Sequence, residues 1–480
     1  MKYKRQHPIK ILSYATRNFW LLSIPLIRGL IYLRFDFEAW VAGAWFDILI
    51  VFCMLLLAII RWGTKYYRYT NESFYVRTGV ASKVEKEVLY RSFSSVEVER
   101  KFWLRPFSAA ILRIDTNSGS SKKADLALTL RLKDLNAFIE IYSYTQQSHK
   151  LKLCYYPKKS HLVFFSLFFS NTLSGVILLS TLIFQGGKII GNELEQRFVD
   201  TFNSYTRKLA QNISPTALAV SLVILGGWLI SFCINLLRHW NFSCERKGNK
   251  IVVKSGFLTK RISYLSSKKI NYADLRQSLM SIIFRVSSVH VHCTGYGKAK
   301  HAIAVLVPIT NRQEVFTTLR MLLPDYPTIN TTVKPTPLQF RRFIFFPVIF
   351  LLIIPILGLT MINLFPTWDD MIIFVCIIAI IPFVWLLIVK FVSTYTTGIG
   401  YTDGFIALKY CHFFQFHTVI VPVDKITMVE IRQSLAQKPT DNCTLVIYTN
   451  AEKTKSHMIR FLTYTDTINF LQQNSINFLK

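Results

Sequence analysis

Six long apolar stretches divide the chain, and they come in pairs: 18–33 with 40–60, 161–184 with 216–237, and 343–365 with 371–391. A helix needs about 20 residues to cross a hydrocarbon core of roughly 30 Å, so these six predict six transmembrane helices arranged as three hairpins. The first is the weakest, because Arg28 interrupts it. Behind each pair the period changes. KIVVKSG, RISYLS, SSVHVHC and AIAVLV are short, β-branched and alternating, with Gly, Ser, Asn and Lys between them, which predicts antiparallel strands. Each of the three segments then ends in one helical pattern, LNAFIEIYSY, RQEVFTTLRMLL or TINFLQQ. Asp134, Asn311 with Glu314, and Asp466 are the expected N-terminal caps.

Several antiparallel strands closed by one C-terminal amphipathic helix is the element order of a pleckstrin-homology (PH) domain, a small β-sandwich plugged at one end. The predicted fold is therefore a polytopic α-helical membrane protein with three cytoplasmic PH-like β-sandwich domains, each capped by a C-terminal helix. The expected division is 1–62 (tail and first hairpin), 63–160 (first PH-like domain), 161–239 (second hairpin, with an extracytoplasmic loop at 185–215), 240–340 (second domain), 341–392 (third hairpin) and 393–480 (third domain). Lys and Arg set the orientation. Arg61, Lys65 and Arg68, then Arg238, Arg246 and Lys247, then Lys390 follow the hairpins, whereas the turn 366–370 has no basic residue. Both termini and all three β domains are thus expected in the cytoplasm. A signal peptide cleaved near Ala42 is excluded by Arg28, Asp36 and Glu38 inside the segment leading to it.

The domains are repeats. VRTGV at 76–80 falls on VKSGF at 253–257 without a gap, superposing the turn glycines Gly79 and Gly256, and SSVEVERKF at 94–102 falls on NYADLRQSL at 271–279. The tetrad Arg276-Gln277-Ser278-Leu279 recurs as Arg432-Gln433-Ser434-Leu435. In the structural reading the arginines end a strand, the serines satisfy backbone groups in the next turn and the leucines enter the core; the alternative is a rim that binds a partner. The first repeat has Glu99-Arg100-Lys101-Phe102 in place of the tetrad, and the third has Cys411 or His412 in place of the glycine.

A transmembrane pair followed by a strand, a glycine turn and Val-x-x-x-Arg-Gln-Ser-Leu resembles the bacterial PH-like, membrane-flanked domain family. Three copies with six helices are similar to its YdbT-type members. The resemblance implies a PH-like fold, a bacterial plasma-membrane location, no known catalytic residues, a smaller one-domain relative as a partner, and a role in resisting envelope-active antimicrobials.

Composition adds the partner chemistry. With 51% hydrophobic and 18% charged residues the chain is too apolar for an ordinary soluble protein, yet its net charge is +30. Basic residues cluster on the hairpin after each glycine turn: Arg77, Lys83, Lys86 and Arg91 in the first repeat, Lys254, Lys260, Arg261, Lys268 and Lys269 in the second. Held beside a membrane, each gains about 1 kcal/mol from an anionic leaflet, so anionic lipid is the expected ligand. The third repeat differs. Its hairpin reads CHFFQFHTVIV, apolar and nearly uncharged, which suits a surface for another domain or subunit.

Other signals weaken on inspection. Eight scattered cysteines without a Cys-x-x-Cys pair fit reduced thiols rather than disulfides or zinc. TGYG at 294–297 reads as a hairpin turn, and His290 with His292 as the solvated face of a strand, without a third metal ligand adjacent. No nucleotide, kinase or hydrolase motif occurs, so no cofactor, no metal, no catalytic residue and no nucleic-acid partner is expected. Within the membrane, Arg28 and Asp47 lie at similar depth on adjacent helices and are expected to form an ion pair. The sequence reading is a non-enzymatic membrane scaffold whose PH-like domains bind protein or anionic lipid at the cytoplasmic leaflet; the alternative is a six-helix transporter or channel.

Overall fold

The computed structural model describes residues 3–15, 49, 52–79, 82–116, 124–144, 152–168, 215–293, 305–311, 313–336, 339–435, 437–449 and 455–474. Its strands form four antiparallel sheets. The first runs β1 (Lys4–Arg5), β2 (Tyr66–Tyr69), β3 (Ser73–Thr78), β4 (Val84–Leu89). The second has seven strands: β5 (Phe93–Arg100), β6 (Ala109–Thr116), β7 (Leu126–Arg131), β8 (Lys152–Tyr155), β9 (Ser243–Lys247), β10 (Lys250–Ser255) and β11 (Lys260–Ser266), in the order β7-β6-β5-β11-β10-β9-β8. The third has six: β12 (Ile270–Ser278), β13 (Val286–Cys293), β14 (Val305–Asn311), β15 (Gly398–Thr402), β16 (Phe405–His412) and β17 (Gln415–Pro422), ordered β14-β13-β12-β17-β16-β15. The last runs β18 (Ile426–Arg432), β19 (Asn442–Thr449), β20 (Lys455–Thr463).

The order of strands carries the main finding. The sequence reading gives each repeat a sandwich of its own, but the two central sheets each belong to two repeats. β5 of the first repeat pairs with β11 of the second, and β12 of the second pairs with β17 of the third. The apolar third-repeat hairpin thus does meet another domain, its own neighbour. Each seam also shares core. Ile262 and Tyr264 from β11 pack against the first repeat's core, and Ala407 and Ile420 join the second repeat's. Tyr272 of β12 in turn lies in the core of the third.

One helix closes each repeat as expected, at Leu132–Tyr144, Val315–Leu322 and Tyr464–Gln473. None of the expected caps acts as one. Asp134 lies inside the first turn, where its carboxylate accepts from the Lys4 ammonium and from the Tyr67 hydroxyl at 3.2 Å. Asn311 ends β14, and Glu314 stands at the N-cap without a capping side-chain bond. Asp466 is likewise inside the helix; the Thr465 hydroxyl donates instead to Asp441, at 2.8 Å.

Three described helices are long and apolar enough to cross a membrane, with spans at Leu222–His239, Phe340–Leu364 and Met371–Thr396, and a shorter apolar helix covers Phe52–Gly63. The last two spans form a hairpin so close that a Cβ on Gly358 would lie 2.5 Å from the Cys376 Sγ. The first expected helix, all of the loop 185–215 but its last residue, TGYG, and both Arg28 and Asp47 lie outside the described residues.

Candidate functional site

The first seam is an ionic one. In its register Glu97 faces Ser263, Val98 faces Ile262 and Glu99 faces Arg261. Because side chains alternate, the valines and Ile262 turn to the first repeat's core while the acids turn away from it. Arg113 reaches Glu99 at 2.7 Å and Glu97 at 3.4 Å, and Arg261 reaches Glu99 at 3.3 Å. Burial pushes the Glu97 carboxyl up from its ordinary value, against the pull of the two guanidiniums. Lys269 fastens the same seam, donating to the carbonyls of Arg91 at 2.8 Å and Phe93 at 3.1 Å.

At the second seam histidine replaces arginine. Asp274, equivalent to Glu97, is buried and accepts from Arg276 Nε at 2.7 Å, with His417 Nδ1 of β17 at 3.1 Å. These partners hold its carboxyl well below the usual carboxylate range, outweighing the opposing effect of its burial. His290 is fully enclosed beside them, and burial pushes its pKa well down. Tyr272 stacks on His292 with centroids 4.4 Å apart, and Tyr410 stacks on His417 at 5.2 Å. The solvated strand face expected for His290 is therefore an interdomain interior. Among the described residues no group of three or more His, Cys, Asp or Glu is placed to hold a metal.

The tetrad now has a structural account. Arg276 reaches back two residues to Asp274, and Arg432 to Glu430, both at 2.7 Å. Gln277 donates to the carbonyl of Val286, and Gln433 to that of Asn442, both at 3.1 Å, tying each strand to the start of the next. The glutamine role is one that sequence reading missed, although the shared nine-residue spacing was available to it. Ser278 caps a short helix, accepting from Ser281 N at 3.2 Å. Leu279 is 6% exposed and packs against Phe416 and against Val389 of the span Met371–Thr396. Leu435 does not enter a core: it is 86% exposed, with no counterpart of Phe416 packed on it among the described residues.

The turn glycines are equivalent in detail. Gly79 and Gly256 adopt φ +131° and +99°, and a Cβ would meet the carbonyl oxygen three residues on, Ser82 at 1.7 Å and Thr259 at 2.0 Å. The third repeat turns instead through Phe413 and Phe414, with Phe413 at φ +49°. The second hairpin tip is fixed to a membrane helix. Gly256 N donates to Trp240 O at 2.8 Å and Phe257 N to Leu237 O at 2.9 Å, while Arg105 donates to the carbonyls of Phe257 and Leu258. Phe257, Leu258, Ile283, Phe284 and Phe413 are all left exposed at these turns.

The basic residues divide into three groups. Arg261 and Lys269 are built into the first seam. Arg77 pairs with Glu85 at 3.2 Å and Lys254 with Glu245 at 2.8 Å. Lys83, Lys86, Arg91, Lys260 and Lys268 are exposed. A different lysine, Lys250, is buried against the Tyr142 ring with Nζ 3.6 Å from its centroid, and burial lowers its pKa to about 8.

Three units of one strand order, each following an apolar helical segment and each closed by a single helix, match the Bacterial PH domain family three times, over 24–146, 194–322 and 348–473. The chain belongs to the Bacterial PH domain family. It is also similar to the transmembrane protein YdbT of Bacillus subtilis (strain 168), at 23% identity over 161 residues, 32% of each chain. The match thus spans about a third of that relative's length. As a membrane-associated bacterial PH-domain protein of the YdbT type, the chain holds its PH units in an array rather than as separate beads.

Proposed function

We propose that the chain is a non-enzymatic, multi-pass scaffold of the bacterial plasma membrane. Its six helices form three hairpins, both termini are cytoplasmic, and the three PH-like units present one continuous surface for a protein partner or for anionic lipid at the inner leaflet. A role in envelope stress or antimicrobial resistance follows from the resemblance alone. The observation that carries the reading is the attachment of β-turns to membrane helices. Gly256 and Phe257 bond the end of one helix, and Leu279 packs on another. These bonds bring Phe257, Leu258, Ile283 and Phe284 to the level where a helix leaves the bilayer, a depth that suits aromatic and apolar side chains.

The exposed Lys83, Lys86, Arg91, Lys260 and Lys268 would act by general attraction to the leaflet. The transporter reading has less to rest on. Between Arg342 and Asp369 the helix Phe340–Leu364 carries no ionisable group apart from its end, and a transport path ordinarily needs such groups near the midplane.

Reconstitution of the full chain tests the lipid half of the proposal. Replacing the five exposed basic residues by Gln should lower the anionic lipid retained through purification and weaken its salt dependence. Equal retention by the unaltered and altered chains would remove lipid attraction from the function. An isolated second repeat is the wrong material, because cutting it out would bare β11 and β12 together.

A further inference from the structure

The two outermost strands of the array differ in kind. β4 at one end and β18 at the other each have a single partner strand among the described residues. β4 occupies the position of β11 and β17, and β18 the position of β5 and β12. β4 reads Val-Glu-Lys-Glu-Val-Leu, with Glu85 and Glu87 where β11 carries Ile262 and Tyr264 and β17 carries Thr418 and Ile420. Those positions face the preceding repeat's core at both seams. Charge directed inward there blocks an edge from pairing.

β18 carries no such block. It reads Ile-Thr-Met-Val-Glu-Ile-Arg, keeps the tetrad that both completes β12 and seats it on a membrane helix, and leaves Met428 and Leu435 exposed. At both internal seams the acid at the position of Glu430 is met by a base from the incoming strand: Glu97 by Arg261 at 4.0 Å, and Asp274 by His417 at 3.1 Å. Glu430 is the corresponding acid, at present bonded only within its own repeat, to Arg432 and the Tyr448 hydroxyl, among the bonds described.

We infer that β18 is a docking edge for a fourth PH-like unit supplied by a separate membrane protein, one whose incoming strand resembles β17 and not β4. This deepens the scaffold reading by naming the class of its protein partner. The partner's strand would add antiparallel to β18, its equivalent of Val419 opposite Glu430, with a basic or imidazole side chain two residues nearer its start. Its hairpin would cover Leu435 as Phe416 covers Leu279. A second copy of this chain is the poorer fit, since it would bring Glu85 and Glu87 against Ile431 and Val429.

The test uses the full chain in the membranes of its own host, with a benzophenone amino acid at Met428 and, as a control on the opposite edge strand of the same sheet, at Arg460. Irradiation should join Met428 to a PH-domain membrane protein other than this chain, the joined peptide lying in the strand that aligns with β17, with several-fold less at Arg460. Glu430→Lys and Leu435→Glu should each reduce the product several-fold, and Leu435→Glu should do so with thermal stability unchanged, because that side chain is 86% exposed. Products that are this chain itself, lipid alone, a protein without a PH unit, or equal at both sites would each overturn the inference.

Discussion

The two seams solve one problem with different chemistry. Each must bury a strand edge and a row of polar side chains between two repeats. The first does so with two buried carboxylates and two guanidiniums, Glu97 and Glu99 against Arg113 and Arg261. The second encloses a single carboxylate, Asp274, between Arg276 and His417 and surrounds it with His290, His292, Tyr272 and Tyr410. Arginine stays charged at any physiological pH, whereas imidazole does not. The difference confines the first seam's response to pH to its carboxylates, whereas the second carries imidazoles that titrate nearer neutrality.

The strongest way to break the comparison is to remove one acid from each seam. Asp274→Asn leaves Arg276 without its buried carboxylate, and losing one partner of a buried pair costs about 3 to 5 kcal/mol. Glu99→Gln should cost less, about 1 to 3 kcal/mol, because Glu97 remains beside the same guanidiniums. Denaturant unfolding of both variants in one detergent checks the order, and equal losses would mean that the seams are energetically alike.

Gly256→Ala should destabilise by about 1 to 3 kcal/mol, since the added methyl meets the Thr259 carbonyl in a backbone conformation unsuited to alanine. His412→Gly in the third repeat should change stability by no more than about 0.5 kcal/mol. A thermal-shift comparison decides it.

Acid should loosen the second seam before the first. An unfolded His290 takes a proton near its ordinary value of 6.5, whereas the folded, buried side chain does so only well below it. The unfolded state therefore binds more protons as pH falls below about 6.5, and stability declines there. Protease sensitivity between β12 and β17 should rise from pH 7 to pH 5.5, with no matching change between β5 and β11. The smallest effect sits in the tetrad. Gln277→Ala and Gln433→Ala should each cost about 1 kcal/mol for one backbone-directed hydrogen bond, and Leu435→Ala within about 0.5 kcal/mol for an exposed side chain.

Much of the fold is legible in the sequence because it is local. The alternation of KIVVKSG, the position of Gly79 and Gly256, and the closing helices depend on neighbours a few residues away. The seams are not legible in that way. Nothing in RISYLS announces that its edge will meet SSVEVER, since strand pairing between repeats is set by the packing of whole units. For the same reason Arg261 and Lys269 read as free surface charge although the fold consumes them, and His290 reads as solvated although a later repeat encloses it. Leu435 is the converse case. It repeats Leu279 in sequence, but the residues that bury Leu279, Phe416 and Val389, belong to the following repeat and its membrane helix, so a shared tetrad does not by itself bury its leucine. The N-terminal strand Lys4–Arg5 and the strand Lys152–Tyr155 were missed because two or four residues carry too little pattern to be seen before their partner edges are known.

Hydrogen exchange across β17 tests the shared sheets most directly. If β12 and β17 belong to one sheet, the amides of 415–421 that point toward β12 are protected in the detergent-purified chain to within about tenfold of those pointing toward β16, and Asp274→Asn lowers that protection selectively. If the repeats are independent sandwiches, the amides facing β12 exchange as fast as those of an open edge strand, and the array does not exist.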